Sequence, residues 1–201
     1  MTVIATITTS VDGYVTGPDD GPEYGLGKGG ERLHNWVMGG PWTYDGEHDP
    51  DPDAMSAADK EFYEELVADE GASVCGRNMY EAAGAWGGTN PFGGTLFVVT
   101  HRTEDAPDPS TGFVFVNGLD AAMEQATAAS EGRTVGIGGG ADVIRQALAA
   151  GYVDELVIST APVILGAGKR LFDGFEQDID LEIRRVVQSP WAVHTKYAVV
   201  R

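Results

Sequence analysis

The stretch "TVGIGGGADVIRQAL" at residues 134–148 does what much of the chain repeats: a short apolar run ends in a turn and gives way to a helix pattern. "ASVCG" at 72–76 leads into "RNMYEAAGAW", and "FVFV" at 113–116 leads into "LDAAMEQATAASEG". Strands that alternate with helices cross over, pair in parallel and bury both faces, so this pattern specifies an α/β fold around a mostly parallel sheet. "TVIATIT" at 2–8 predicts a first strand, and "TLFVVT" at 95–100 and "VDELVIST" at 153–160 predict further ones. "LEIRRVVQ" and "WAVHTKYAVV" predict a closing antiparallel hairpin around Ser189-Pro190. In open sheets of this kind ligands gather outside the carboxyl ends of strands. That points to the loops after residues 8, 75, 100 and 138.

Two other segments stand out. Ser56 opens "SAADKEFYEELVADEG", a predicted helix with a capping-box-like Ser56-x-x-Asp59 start and a stop at Gly71. Residues 17–53 are an irregular, lid-like insertion rich in glycine, proline and aspartate, with aromatic patches around Tyr24, Trp36 and Trp42; only "GERLHNWVM" suggests a short helix there. A stretch of that length without periodicity inside a compact domain is usually functional or mobile. His34 and Trp36 are candidates to close over a substrate, with packing of the lid itself as the alternative.

Charge and composition narrow the function. The chain, residues 1–201, is of a size for one domain with its own core. A net charge of −18 argues against nucleic acid as a partner. Residues 1–70 hold 16 acids and 3 bases, whereas residues 71–201 hold 15 acids and 10 bases. An anionic ligand would therefore find its cations at Arg77, Arg102, Lys169 or Arg170. No apolar run is long enough for a bilayer, and the N-terminus lacks the basic region of a signal peptide. The single cysteine, Cys75, makes no internal disulfide and sits in a predicted buried strand, which fits a cytoplasmic protein. His194 alternates with Val193 in the last strand, a pattern that predicts a surface imidazole. The four histidines and one cysteine show no metal-ligand spacing, so no metal is expected.

Gly136-x-Gly138-x-x-Ala141 formally matches a dinucleotide fingerprint. It comes late in the chain, and the acids at the right distance, Asp154 and Glu155, begin a strand rather than end one, which argues against a Rossmann fold. The local chemistry still suits an anion: glycines permit close approach, and free amides at a helix start face a phosphate. Asp142 is placed to cap that helix. Gly76-Arg77 repeats the arrangement with a guanidinium, and Thr100-His101-Arg102 offers a hydroxyl, an imidazole and a second guanidinium.

Taken in order, "TTSVDGYVTGP", "CGRNMYE", "VVTHR" and "GGGADVIRQALAAGYVDELVISTAPVILGAGKRLF" resemble the dihydrofolate reductase-like superfamily, in the branch of the riboflavin-biosynthesis reductase domain. The resemblance covers most of the chain. It implies a three-layer fold with a central, mostly parallel eight-stranded sheet and a C-terminal antiparallel hairpin, with NADPH as hydride donor. It implies cofactor contacts at Gly76 and Arg77, the latter near the 2′-phosphate, at Thr100, His101 and Arg102 near the ribose, and at Gly138, Gly139, Gly140, Ala141 and Asp142 near the pyrophosphate. Ala5 and the following loop, with Asp12 and Gly13, match the wall beside the nicotinamide. Asp59 is the best match for the family's substrate-binding acid, although it equally fits the Ser56 capping box. Asp12 and Asp59 are thus the candidate catalytic acids. The expected function is an NADPH-dependent reductase of a small heterocycle resembling a pterin, a pyrimidine or a flavin precursor. The alternative is a non-catalytic nucleotide-binding module that keeps the cofactor groove. The resemblance also implies a homodimer.

Overall fold

The computed structural model describes residues 1–44, 49 and 51–200; the parts of the expected lid at 45–48 and 50 lie outside the described residues. The elements follow the order β1 (Val3–Ser10), α1 (Ala57–Val67), β2 (Glu70–Gly76), α2 (Arg77–Ala82), β3 (Thr95–Val99), β4 (Phe113–Val116), α3 (Leu119–Ala129), β5 (Thr134–Gly139), α4 (Ala141–Ala149), β6 (Glu155–Ala161), β7 (Leu181–Gln188) and β8 (Val193–Val199). The strands form one eight-stranded sheet in the order β4-β3-β2-β5-β1-β6-β8-β7. Pairing is parallel from β4 to β6, and β8 and β7 add the antiparallel hairpin.

The near-continuous apolar strands are explained by helices on both faces. On one face α3 and α4 bury Met123, Ala126, Ile144 and Leu148 against Ala5, Val74, Ile137 and Leu156. On the other, Phe62 of α1 meets Ile4 and Val157, and α2 sends Met79 and Tyr80 against Cys75, Val98 and Phe113. The spacing of Val143, Ile144, Ala147 and Leu148 places all four buried side chains on one helical stripe.

Two local rules are overridden. Gly71 does not stop α1, which ends at Val67; it lies within β2, where a Cβ would sit 2.5 Å from the Ser130 carbonyl oxygen. A strand glycine here permits close approach of another backbone. Nor is His194 on the surface: it is fully buried on β8 beneath α1, stacked on Phe62 at 4.2 Å.

The feature that positions a site is a split in the sheet. β1 and β5 pair only over Val3–Ala5 and Val135–Ile137. Beyond that, β1 stays with β6 as far as Ser10, and β5 stays with β2, reaching Cys75↔Gly139 after a register shift. The carboxyl halves of β1 and β5 therefore diverge. The chain also changes direction here, since β2 lies on one side of β1 and β6 on the other, the arrangement in which α/β sheets open a ligand crevice.

Candidate active site

A cleft of about 1110 Å³ occupies this split. Its floor includes Thr6, Ile7 and Thr8 of β1 and Gly138 of β5. The β5 side carries the turn into α4. The Gly139–Gly140 peptide is cis, Gly139 has φ +114°, and Gly140 is the N-cap of α4 without any side-chain cap. Asp142, expected to cap this helix, does not: its carboxylate accepts from Gln146 Nε2 at 2.6 Å and Arg145 Nη2 at 3.3 Å. Those partners lie one helical turn on, within reach of a side chain already inside the helix. The first amides of α4 are thus left without a side-chain acceptor beside the cleft. A Cβ built on Gly140 meets nothing within 4 Å, so the wall is open at that point.

Gly76 brings the second turn against the first. A Cβ there would lie 3.0 Å from Val143 Cγ2 and 3.7 Å from the Gly140 amide nitrogen. Arg77 follows directly. Its Nε donates to Glu81 at 2.8 Å, its two Nη atoms donate to Asp105 at 3.0 and 2.7 Å, and the guanidinium lies 4.5 Å from the Phe115 ring. Arg102 donates to Glu81 at 2.7 Å. Thr100 is buried and its hydroxyl accepts from the Arg102 amide at 3.0 Å, fixing the strand end. His101 Nδ1 lies 2.9 Å from Asn117 Oδ1. The cleft therefore gathers Gly76, Arg77, Thr100, His101, Arg102, Gly138, Gly140, Ala141 and Asp142 from three loops distant in sequence.

Other sequence candidates fall elsewhere. Ala5 is fully buried within the sheet, and its successors Thr6–Thr8 face the cleft instead. Gly13, at φ +84°, serves the turn after β1, where its amide donates to the Ser10 carbonyl and its own carbonyl accepts from Leu171. Asp12 clamps two loops together. It accepts from Ser10 Oγ at 2.7 Å, Leu165 N at 3.1 Å and Gly166 N at 2.8 Å, and these donors, the Ser10 hydroxyl foremost, hold its pKa at about 2.

Asp59 is enclosed. It accepts from Ser56 Oγ at 2.6 Å and from His194 Nε2 at 2.8 Å, while His194 Nδ1 lies 2.7 Å from Ser159 Oγ. The arrangement uses the tautomer in which Nε2–H donates to Asp59 and Nδ1 accepts from Ser159. Burial lowers the His194 pKa, against the pull of Asp59. The capping-box alternative is seen here, because the Asp59 amide also donates to Ser56 Oγ at 3.2 Å. Trp36 seals the network from the lid side: its indole lies 4.8 Å from His194 and donates to Thr8 Oγ1 at 3.0 Å.

His34 does line the cleft, and burial pushes its pKa down to about 4, so it stands neutral at pH 7. Lys169, Arg170 and Trp42, singled out in the sequence, line the cleft, while sequence reasoning missed Asp20, Arg145, Tyr44 and Phe92 beside them. Asp20 lies in the cleft with Lys169 Nζ 2.7 Å away; Arg145 donates to the Arg170 and Leu171 carbonyls; and Trp42, Tyr44, Trp86 and Phe92 form aromatic walls. A run such as "GAWGGTNPFGG" announces turns, but not that its aromatics line the same cleft as Trp42 and Tyr44. Among the described residues there is no group of three or more histidine, cysteine, aspartate or glutamate side chains placed to hold a metal, and no helix long and apolar enough to cross a membrane.

Solved structures share this architecture. A putative riboflavin biosynthesis protein from Shewanella sp. PV-4 superposes with a TM-score of 0.72 at 21% identity, over 100% of both chains. A pyrimidine reductase-like protein from Corynebacterium diphtheriae gives 0.64 at 17%, over 100% of this chain and 92% of that one. Dihydrofolate reductase from Enterococcus faecalis, complexed with NADP(H), gives 0.62 at 16%, over 100% and 97%. The fold is dihydrofolate reductase-like. No curated protein matches the chain in sequence. The model of the RibD C-terminal domain family matches residues 1–194, and the chain belongs to that family.

Proposed function

We propose that the protein is a nicotinamide-dependent reductase of a small planar heterocycle of pterin, pyrimidine or flavin-precursor type. The observation that carries this reading is the convergence, at the split between β1 and β5, of uncapped α4 amides, two glycine turns and the Arg77 and Arg102 guanidiniums. That donor set fits a dinucleotide: glycine amides and a helix start for the pyrophosphate, guanidiniums for a further phosphate, and a groove floored by Thr6–Thr8 for a flat ring. A bound reduced nicotinamide supplies a hydride. The chain's own residues bind and orient: the aromatic walls sandwich planar rings and the neutral His34 offers one donor and one acceptor. Asp12 and Asp59 are read as positioning residues. Asp12 stays ionised at neutral pH and ties β1 to the loop after β6, while Asp59 props α1 against β8. The proton then comes from water reaching the cleft.

The test mixes the protein with NADPH or NADH and candidate pterins, pyrimidines and flavin precursors, and follows loss of the reduced nicotinamide absorbance. Turnover with at least one heterocycle supports the reading. The engagement of both candidate acids outside the cleft favours a second reading, a nucleotide-binding module without turnover. Saturable binding with no oxidation across the substrate panel selects it.

The same reading includes a cytoplasmic homodimer. Leu181, Ile183, Val186 and Val193 are all exposed, and their register against Val199, Tyr197, Thr195 and Gln188 puts them on one face of the terminal hairpin. An apolar edge-strand face of this kind is normally covered.

A further inference from the structure

The lid turn Gly30–His34 is pinned to the sheet on one side and borders the cleft on the other. It packs on β1 and β6. Leu33 and Trp36, three residues apart, are both buried, and the Trp36 indole donates to Thr8 Oγ1 at 3.0 Å. The turn continues beyond His34, because the Met38 amide donates to the His34 carbonyl at 2.9 Å. Residues four apart on such a turn share a face, and His34 and Met38 both line the cleft. The buried pair therefore fixes the height of the turn above β1, and His34 is held on the side that a ligand meets.

Other polar side chains around the cleft are bonded to one another: Asp20 to Lys169, Asp142 to Arg145, and His101 to Asn117. His34 is not. No described residue hydrogen-bonds its ring, and burial alone pushes its pKa down to about 4. At neutral pH it is an enclosed imidazole with one N–H and one lone pair left without partners, an arrangement that folding avoids except where a ligand or water completes it. The aromatic walls cannot supply that discrimination. The Trp42 indole already donates to the Glu31 carbonyl and the Tyr44 hydroxyl already accepts from the Leu26 amide, so both present ring surface, which accepts any flat molecule. Resting on the reading of the cleft as a reductase site, we propose that His34 is the specificity residue for the substrate: its imidazole hydrogen-bonds directly to a nitrogen or oxygen on the edge of the heterocycle and selects which edge enters. A ring without a polar atom at that edge leaves His34 enclosed and unpaired, and is rejected for that reason. The position follows from the floor: Trp36, two residues on, ties the same turn to Thr8, so a substrate stacked on a reduced ring over Thr6–Thr8 lies within the reach of His34.

The experiment compares the wild type with His34→Leu, His34→Gln and His34→Asn, using the heterocycle that the wild type reduces best among pterins, pyrimidines and flavin precursors. Leucine keeps bulk and removes both hydrogen-bonding groups; glutamine and asparagine restore an amide near Nε2 and Nδ1 respectively. His34→Leu is expected to lower kcat/KM about tenfold or more, mainly through KM, while its dissociation constant for the reduced dinucleotide stays within about twofold of wild type. One of the two amide variants is expected to recover kcat/KM to within about threefold of wild type. A purely structural His34 gives the reverse order, since leucine fills an apolar gap better than an amide does. The proposal is overturned if His34→Leu keeps kcat/KM within about twofold of wild type, if both amide variants lose as much as His34→Leu, or if dinucleotide binding falls in step with turnover. In those cases wild-type turnover leaves the reductase reading standing. If the wild type reduces none of the heterocycles, that reading falls, and the proposal with it.

Discussion

Replacing His194 with phenylalanine isolates the buried chain Ser56–Asp59–His194–Ser159. Phenylalanine keeps a ring to stack on Phe62, now 4.2 Å away, and to meet the edge of Trp36 at 4.8 Å, so the packing contribution changes little. What is lost is polar. Asp59 Oδ1 loses its 2.8 Å donor and Ser159 Oγ loses its 2.7 Å partner, in a region where Asp59 and His194 are both 0% exposed. Stranding one member of a buried ionisable pair costs about 3–5 kcal/mol, whereas removing both can be close to neutral. His194→Phe should therefore lower stability by about 3–5 kcal/mol, and Asp59→Asn with His194→Phe should recover roughly half of that or more. Urea unfolding at pH 7, with the slope checked for constancy, reads both values. A loss below about 1 kcal/mol, or a double variant no better than His194→Phe, would show that the network does not hold α1 to β8.

Four further outcomes follow from the same geometry. Burial depresses the pKa of His34 to about 4, so the unfolded chain binds the extra proton in the window from the ordinary histidine value of about 6.5 down to 4; stability is full above that window and falls as pH drops through it, and His34→Gln should flatten urea midpoints measured there. His194, shifted in the same direction, adds to that slope. Gly140→Ala places a methyl group at the open wall of the cleft, where it meets no protein atom within 4 Å; it should weaken dinucleotide binding about tenfold, an overpacking cost of roughly 1–3 kcal/mol measured by titration calorimetry. Cys75, with burial pushing its thiol up to about 12, should resist an aromatic disulfide reagent in the native protein and react stoichiometrically once unfolded. Ile183→Lys, at an exposed apolar position of the hairpin, should yield a monomer by sedimentation if that face joins two copies.

What the sequence revealed and what it hid divide along sequence distance. The alternation of apolar runs with helix patterns announces the parallel sheet, because both strand burial and helix stripes are local signals. The glycine and arginine turns at residues 76–77, 100–102 and 138–142 are legible for a similar reason: each ends a strand, and a parallel sheet brings such ends together. Local reasoning failed where a distant partner decides. His194 looks like a surface residue beside Val193, yet Asp59 lies 135 positions away and Ser159 lies 35. The turn around Asp12 gives no local sign of its amide donors, which arrive from residues 165 and 166. Gly71 reads as a helix stop until Ser130 packs against it. Asp142 follows a capping rule that fails because Gln146 and Arg145 compete for its oxygens.

The most direct test of the account is a structure of the protein with a reduced nicotinamide dinucleotide bound. The account predicts the pyrophosphate on the Gly140–Asp142 amides and the nicotinamide over Thr6–Thr8, where β1 and β5 part. A dinucleotide seated elsewhere, or no binding at millimolar cofactor, contradicts it.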